Sequence, residues 1–125
     1  WKLKRSKLMS WHNIGTIDDL VANSGVCALV NNQQVAIFYV PQNTQSVFAI
    51  SNYDPIGKAN VLSRGIIGSI EGKLVVASPL YKQHFCLATG ECLEAETIHL
   101  PVFDAKIEDG NVLISAEPKV IKAVA

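Results

Sequence analysis

The side chains with the strongest metal-binding and redox chemistry are three cysteines, two of which lie close to a histidine. His84 and Cys86 are two residues apart in a segment that we predict to be extended, so both side chains point to one face. Cys92 follows a tight Thr89-Gly90 turn, which brings it back toward that segment. Three soft ligands make a metal site conceivable there. Structural zinc takes four ligands, however, and neither H-x-C nor C-x5-C is a common zinc spacing, which favours two ordinary strand thiols.

The cysteine content also bears on the redox compartment. Three cysteines are an odd number, which is typical of reduced thiols in a cytoplasmic protein rather than of a disulfide framework. A disulfide between Cys86 and Cys92 is the alternative for an oxidised sample. Cys27 lies inside an apolar run, residues 26–30, and we expect it to be buried as a small hydrophobic side chain.

The sequence contains no recognisable catalytic arrangement. The glycines at 57, 65, 68 and 72 lack the G-x-G-x-x-G spacing of a phosphate-binding loop and do not lie between a strand and a helix. The histidines, cysteines and carboxylates do not form a pattern of nucleophile and base. We therefore expect no catalytic residues on this chain alone.

Two turn-rich segments, residues 51–63 and 78–86, interrupt the strands and carry most of the candidate interaction residues. Basic and aromatic side chains in them give a locally positive character that suits docking to an acidic partner or a redox subunit. Scattered surface charge is the alternative interpretation. The candidate docking residues are Lys58, Arg64, Tyr81, Lys82 and His84.

The elements that must position these segments are short strands. Apolar runs recur at spacings of roughly 8 to 12 residues with turn signals between them, which predicts an all-β sandwich or small barrel of antiparallel sheets. Hairpin turns are indicated at Asn31-Asn32-Gln33, Glu71-Gly72 and, most strongly, Asp109-Gly110. Residues 97–103 contain Pro101, so we expect an edge strand or an extended crossing segment.

Composition indicates one globular domain and excludes several classes of partner. The chain has 125 residues, of which 49% are hydrophobic, enough for a single core. Eleven basic and eleven acidic residues cancel, so attraction to nucleic acid or to an anionic membrane is not indicated. No apolar run approaches the roughly 18 residues of a membrane span. We expect an N-terminal extension over residues 1–10, a domain over 11–115 and a tail over 116–125.

Residues 73–93 resemble the second half of a Rieske-type iron-sulfur domain, in which a strand runs into C-P-x-H-G and then into a strand that ends at a T-G turn. Such a cluster requires two thiolates and two imidazoles. The resemblance places Ser78 and Tyr81 at the second-loop ligand positions and Asp54 and Ile56 at those of the first loop. It implies a Rieske-like antiparallel fold with an inserted loop subdomain, but without the cluster ligands.

A closer resemblance covers nearly the whole chain. The sequence is similar to the small subunits of bacterial NAD(P)H-dependent nitrite reductases in five collinear segments: VCALV (26–30), QVAIF (34–38), VFAISNYDP (47–55), VLSRG (61–65) and ASPLYKQHF (77–85). This resemblance implies a cytoplasmic subunit without a cofactor of its own. It also implies a large-subunit partner carrying FAD, a [4Fe-4S] cluster and sirohaem, which reduces nitrite to ammonium. The competing hypothesis is a Rieske-type [2Fe-2S] ferredoxin that relays electrons.

Without a metal, other contacts must hold the two loops together. We expect the carboxyl of Asp54 to accept hydrogen bonds from loop backbone amides. Burial of large side chains between the loops would supply the remaining stabilisation, at roughly 1.5 to 3 kcal/mol each. The side chains expected to pack there are Pro55, Pro79, Leu80, Tyr81 and Phe85.

Overall fold

The computed structural model describes residues 11–119 and shows an all-β architecture, as predicted. The expected N-terminal extension, residues 1–10, and the end of the chain beyond residue 119 lie outside the described residues. The strands are β1 (Trp11–Thr16), β2 (Ser24–Val30), β3 (Gln33–Tyr39), β4 (Val47–Ser51), β5 (Tyr53–Asp54), β6 (Ala59–Asn60), β7 (Ile66–Ile70), β8 (Lys73–Ala77), β9 (His84–Cys86), β10 (Val102–Glu108) and β11 (Asn111–Pro118). Single 3-10 turns cover Ile17–Asp19 and Leu62–Arg64.

The strands form one large and two small antiparallel sheets. The large sheet has the order β1-β11-β10-β4-β3-β2, a smaller sheet has the order β7-β8-β9, and β5 pairs with β6 alone. The large sheet curls, so that its edge strands β1 and β2 come into contact. Strand β11 extends to Pro118, which pairs with Phe103. No helix within residues 11–119 is long and apolar enough to cross a membrane.

Strand β3 separates two hydrophobic cores and is buried on both faces. Val35 and Ile37 point into the core enclosed by the curl of the large sheet, with Val112 and Ile114 from β11. Ala36 and Phe38 point the other way, into the core beneath the three-stranded sheet. A strand with no solvent-facing side needs apolar residues in succession, which is why its sequence does not alternate.

The predicted hairpin turns at Glu71-Gly72 and Asp109-Gly110 are confirmed. The turn predicted at Asn31-Asn32-Gln33 is present but one residue shorter, because Gln33 begins strand β3. Asn31 and Asn32 have φ values of 49° and 66°, and Glu71-Gly72 and Asp109-Gly110 also have positive φ at both residues. This conformation matches the twist of the flanking strands. Asparagine, aspartate and glycine tolerate it better than most residues, so the local sequence was sufficient to locate these turns.

The prediction that Cys27 is buried was wrong, because its strand lies at the edge of the sheet. Cys27 is exposed. Strand β2 has a hydrogen-bonded neighbour, β3, on one side only, and Cys27 lies beside Ala36 of that neighbour. Its thiol lies 3.5 Å from the Asn52 Nδ2 and 3.7 Å from the Gln34 Oε1. The partial burial that remains raises the pKa of the Cys27 thiol.

Of the two alternatives predicted for residues 97–103, an edge strand and an extended crossing segment, the edge strand was wrong. Thr97 lies in a turn, His99 forms a single bridge to Glu91, and strand β10 begins only at Val102. Strand β10 lies inside the large sheet, between β11 and β4. Pro101 is compatible with this position because it precedes the strand, so its missing N–H removes no ladder bond, while its carbonyl accepts from Ser51 N–H at 2.9 Å.

Gly90 and Gly110 allow the cost of positive φ to be separated from the cost of a clash. Both have φ near 80°, but a methyl group on Gly90 would lie 2.1 Å from the Leu100 carbonyl oxygen, whereas nothing lies within 4 Å of Gly110. We predict that Gly110→Ala lowers the free energy of unfolding by about 1 kcal/mol. Gly90→Ala should lower it by about 2 to 4 kcal/mol, because overpacking is added. Urea denaturation of both variants measures this difference, and equal losses would contradict it.

Candidate functional site

The two turn-rich segments meet at a hydrogen bond between two buried side chains. Asp54 ends the short strand β5, and Ser78 directly follows β8. The Ser78 hydroxyl donates to the Asp54 Oδ2 at 2.5 Å, and both residues are completely buried. A short O–H···O bond to an ionised carboxylate is stronger than a neutral hydrogen bond. This contact therefore joins the first loop directly to the second.

The other oxygen of Asp54 holds its own loop closed. Oδ1 accepts from Ile56 N–H at 2.8 Å and from Gly57 N–H at 3.0 Å. The carboxyl thus acts only as an acceptor, with three donors around it, which is the bonding pattern of an ionised carboxylate. The expectation that Asp54 accepts hydrogen bonds from loop amides is confirmed. The additional bond from Ser78 was not foreseen.

The two loops are built on the same turn. Residues 54–58 read DPIGK and residues 78–82 read SPLYK, so each has a short polar residue, proline, an aliphatic residue, one variable residue and lysine. In each loop the carbonyl of the first residue accepts from the N–H of the lysine, at 2.6 Å for Lys58 and 3.0 Å for Lys82. The side chain of the first residue accepts from the third, since Leu80 N–H donates to the Ser78 Oγ at 3.3 Å. The repeated pattern was visible in the sequence and was missed there.

Both lysines of these matched turns adopt a backbone conformation that is uncommon for non-glycine residues. Their φ values are 58° for Lys58 and 65° for Lys82. Left-handed backbone of this kind persists only where the surrounding structure determines it, here through the hydrogen bond that closes each turn. The two lysines are therefore held at equivalent positions, one at the end of each loop.

The aromatic residue expected between the loops does not lie there. Tyr81 is 64% exposed, and Pro79 is exposed as well, so that part of the packing prediction was wrong. Leu80 packs directly against Gly57 instead. A methyl group on that glycine would lie 2.3 Å from the Leu80 Cδ1. The absence of a side chain at Gly57 lets Leu80 fill the space between the loops. Ile56 is half-buried against the neighbouring core, and Phe85 is fully buried in it.

A buried asparagine fixes the first loop to the large sheet, and no sequence signal indicated this role. Asn52 is almost fully buried, and its Oδ1 accepts from Ser63 N–H at 2.7 Å. Its Nδ2 donates to the Gln34 Oε1 at 3.1 Å, and its backbone carbonyl accepts from Leu62 N–H at 3.1 Å. The side-chain and backbone groups of Asn52 thus join the two ends of residues 52–63 to each other and to strand β3.

The predicted docking residues do not form one uniform set. Lys58, Arg64, Tyr81 and Lys82 are exposed. His84 differs, because its Nδ1 lies 2.6 Å from the Glu94 Oε2 and its backbone N–H donates to Glu94 Oε1 at 2.8 Å. His84 is therefore engaged with residues of its own chain.

The thiols of Cys86 and Cys92 do not converge on one site, although the Cys92 Sγ lies 3.8 Å from the Glu94 Oε1 of the carboxylate that binds His84. Cys92 lies opposite Phe85 in a bridge between the two segments, so its side chain shares a face with Phe85, whereas Cys86 points to the other face. This geometry opposes both the Cys86–Cys92 disulfide and the metal site considered from sequence. Within residues 11–119, no three histidine, cysteine or acidic side chains form a group suited to a metal ion.

The residues at the Rieske ligand positions do not fit a [2Fe-2S] cluster either. Two thiolates and two imidazoles are required, whereas the positions hold a carboxyl, a sec-butyl side chain, a hydroxyl and a phenol. The two that correspond to cysteines, Asp54 and Ser78, are hydrogen-bonded to each other. Their side chains occupy the space between the loops and satisfy each other there.

We predict that Asp54 and Ser78 are energetically coupled. Ser78→Ala should lower the free energy of unfolding by about 1.5 to 3 kcal/mol, and Asp54→Ala by about 3 kcal/mol or more, because buried amides lose their acceptor. The double variant should lose about 1 to 3 kcal/mol less than the sum. Chemical denaturation measures all three values. Ser69→Ala, at an exposed position of β7, is the control and should change stability by less than about 0.5 kcal/mol. Strictly additive losses would contradict the coupling.

The pair of Glu94 and His84 predicts a pH-dependent contribution to stability. Burial alone would raise the pKa of Glu94, but the hydrogen bonds and charge of His84 outweigh it and lower the pKa below its ordinary value of 4.5. A carboxyl whose pKa is lower in the folded than in the unfolded state stabilises the fold at pH values above its unfolded-state pKa. This stabilisation is lost as the pH falls through the folded-state pKa. Glu94→Gln should therefore lower the urea midpoint at pH 7 and have no effect at pH 2. An equal deficit at both pH values would contradict this.

Comparison with known proteins places these features in a family. Residues 10–115 match the model of the Rieske-like [2Fe-2S] domain. The nitrite reductase (NADH) small subunit of Salmonella typhimurium is 50% identical over 84% of this chain and 96% of its own length. The solution structure of the Escherichia coli protein NirD superimposes with a TM-score of 0.76 at 47% identity, over 84% of this chain and 94% of that one.

A further relative carries the same domain inside a much longer polypeptide. The nitrite reductase [NAD(P)H] large subunit of Klebsiella oxytoca matches 92% of this chain at 31% identity, but the match covers only 12% of that protein. Sequence identity, coverage and fold thus agree with the five collinear motifs and with the Rieske-like architecture. The chain belongs to the nitrite reductase small-subunit family, a branch of the Rieske-like domains.

Proposed function

We propose that this chain is the cofactor-free small subunit of a cytoplasmic NAD(P)H-dependent nitrite reductase, and that it binds and supports the large redox subunit. The large subunit would carry FAD, a [4Fe-4S] cluster and sirohaem, as the family resemblance implies. The reduction of nitrite to ammonium would take place there. The small subunit would contribute a rigid surface rather than a redox centre.

The observation that carries this proposal is the hydrogen bond between Asp54 and Ser78. In a cluster-binding domain the metal would join the two loops at these positions. Here a carboxyl and a hydroxyl join them, and neither is a ligand of the Rieske type. A domain whose loops are closed by its own side chains has no need of iron to keep its shape.

The long relative supports the association with the large subunit. In the Klebsiella oxytoca protein, a domain similar to this chain is covalently part of a polypeptide named as the large subunit. Two domains joined in one chain are held at high effective concentration, so an interaction between them needs little intrinsic affinity. Where the domain is a separate chain, as in the small subunit of Salmonella typhimurium, the interface must supply that affinity itself.

The competing function is electron relay by a Rieske-type ferredoxin. It would require cysteine and histidine ligands in both loops. The chain has neither residue type between positions 28 and 83, which includes the whole first loop and the Ser78 and Tyr81 positions of the second. The donor set therefore favours the supporting role over the relay.

Purification of the enzyme with and without this chain tests the proposal. We expect the small subunit to co-purify with the large subunit and to increase its activity or its thermal stability. We also expect the isolated small subunit to lack iron by elemental analysis and to show no visible absorption band. A large subunit that is fully active and equally stable alone would contradict the supporting role. A brown, iron-containing small subunit would instead favour the ferredoxin.

A further inference from the structure

We propose that the small subunit contacts the large subunit through a tip surface formed by Tyr53, Leu80 and Tyr81 and flanked by Lys58 and Lys82. This inference rests on the proposed function, because it assigns the surface by which that association takes place. It also specifies the chemistry of the partner: an apolar recess with carboxylates at its rim.

The exposed apolar side chains are concentrated at the two loops. Within the part of the chain that the structure describes, three of the six large hydrophobic residues that are exposed belong to the tip surface, and Ile66 lies on β7 beside Ala77, next to Ser78. Only Val21 and Leu29 lie elsewhere. Clustered exposed apolar residues mark interaction sites more reliably than scattered ones, and tyrosine is among the residues that most often dominate binding energy.

The exposed charged side chains that the two loops themselves contribute are basic. In residues 51–65 and 78–84 they are Lys58, Arg64 and Lys82, while the single acidic residue, Asp54, is buried and hydrogen-bonded. An exposed carboxylate from outside these segments, Glu94, contacts the end of the second segment, where it is paired with His84. A tip surface flanked by two lysines is complementary to an acidic partner and repels a second copy of itself.

The backbone beneath this surface is fixed before binding. Each lysine ends a closed turn, the two turns are joined by the Asp54–Ser78 hydrogen bond, and Leu80 is seated on Gly57 while still 44% exposed. A surface that is already ordered loses less conformational entropy on association. The tip surface is therefore suited to a stable subunit interface.

The occupant follows from the long relative. There, the rest of the polypeptide named as the large subunit is continuous with a domain similar to this chain. Because the tip surface repels another copy of this chain, the large subunit is the partner to which these observations point. We therefore assign an acidic, partly apolar patch of the large subunit as the occupant.

The affinity of this chain for the purified large subunit, measured by titration calorimetry, tests the apolar part of the surface. We expect Tyr81→Ala to raise the Kd about tenfold or more, as for a central tyrosine at an interface. The matched control is Leu29→Ala, because Leu29 is 68% exposed on strand β2 and Tyr81 is 64% exposed. The control should change the Kd by less than about twofold, within the range of a peripheral residue.

Association kinetics at several salt concentrations test the charged part. The double variant Lys58→Glu with Lys82→Glu should associate more slowly and lose most of the salt dependence. The double variant Lys73→Glu with Lys106→Glu changes the net charge by the same amount, but away from the tip surface. It should retain the salt dependence of association. Wild-type-like binding by Tyr81→Ala, or an equal effect of Leu29→Ala, would overturn the tip surface while leaving the association intact. Failure of the wild-type chain to bind at all would overturn the proposed function itself.

Discussion

The arrangement of the loops depends on one buried contact, the hydrogen bond from the Ser78 hydroxyl to the Asp54 carboxyl. The contact joins residues 24 positions apart and lies where the strand β8 and the short β5–β6 hairpin approach each other. A buried carboxylate is costly unless its oxygens are satisfied. The amides of Ile56 and Gly57 and the Ser78 hydroxyl satisfy them, and in doing so they fix both loops.

The matched turns explain how the two loops are held together in a chain that has no cysteine or histidine between positions 28 and 83. Each loop closes on itself through a lysine N–H, and each begins with a residue whose side chain caps the turn. The hydrogen bond between Ser78 and Asp54 then needs only to join two turns that are already closed. Coordination and hydrogen bonding thus solve the same problem, which is to hold two loops at a fixed separation. Only coordination also supplies a redox centre.

What the sequence could predict was local. The three hairpins at Asn31-Asn32, Glu71-Gly72 and Asp109-Gly110 follow from turn residues that adopt positive φ, and no distant contact is needed to specify them. The exposure of Cys27 and the central place of β10 depend on the order of strands in the sheet. That order is set by pairings between distant segments, so alternation and proline content could not determine it.

The candidate site shows the same division. The role of Asp54 was predictable, because an aspartate two or three residues before free amides commonly accepts from them. The hydrogen bond between Asp54 and Ser78 was not predictable, because it requires that the two loops meet. The contact of Leu80 with Gly57 was not predictable either, because it also requires that the two loops meet. Only the repeat of DPIGK and SPLYK was present in the sequence as a signal and overlooked.

The claim that side chains rather than metal close the loops is tested most directly by amide hydrogen exchange at Ile56 and Gly57, measured by NMR on the purified chain before and after treatment with a strong chelator. Both amides donate to Asp54, so they should be protected, and the chelator should leave their exchange rates unchanged. Exchange as fast as in an unfolded peptide, or protection that disappears with the chelator, would contradict the claim.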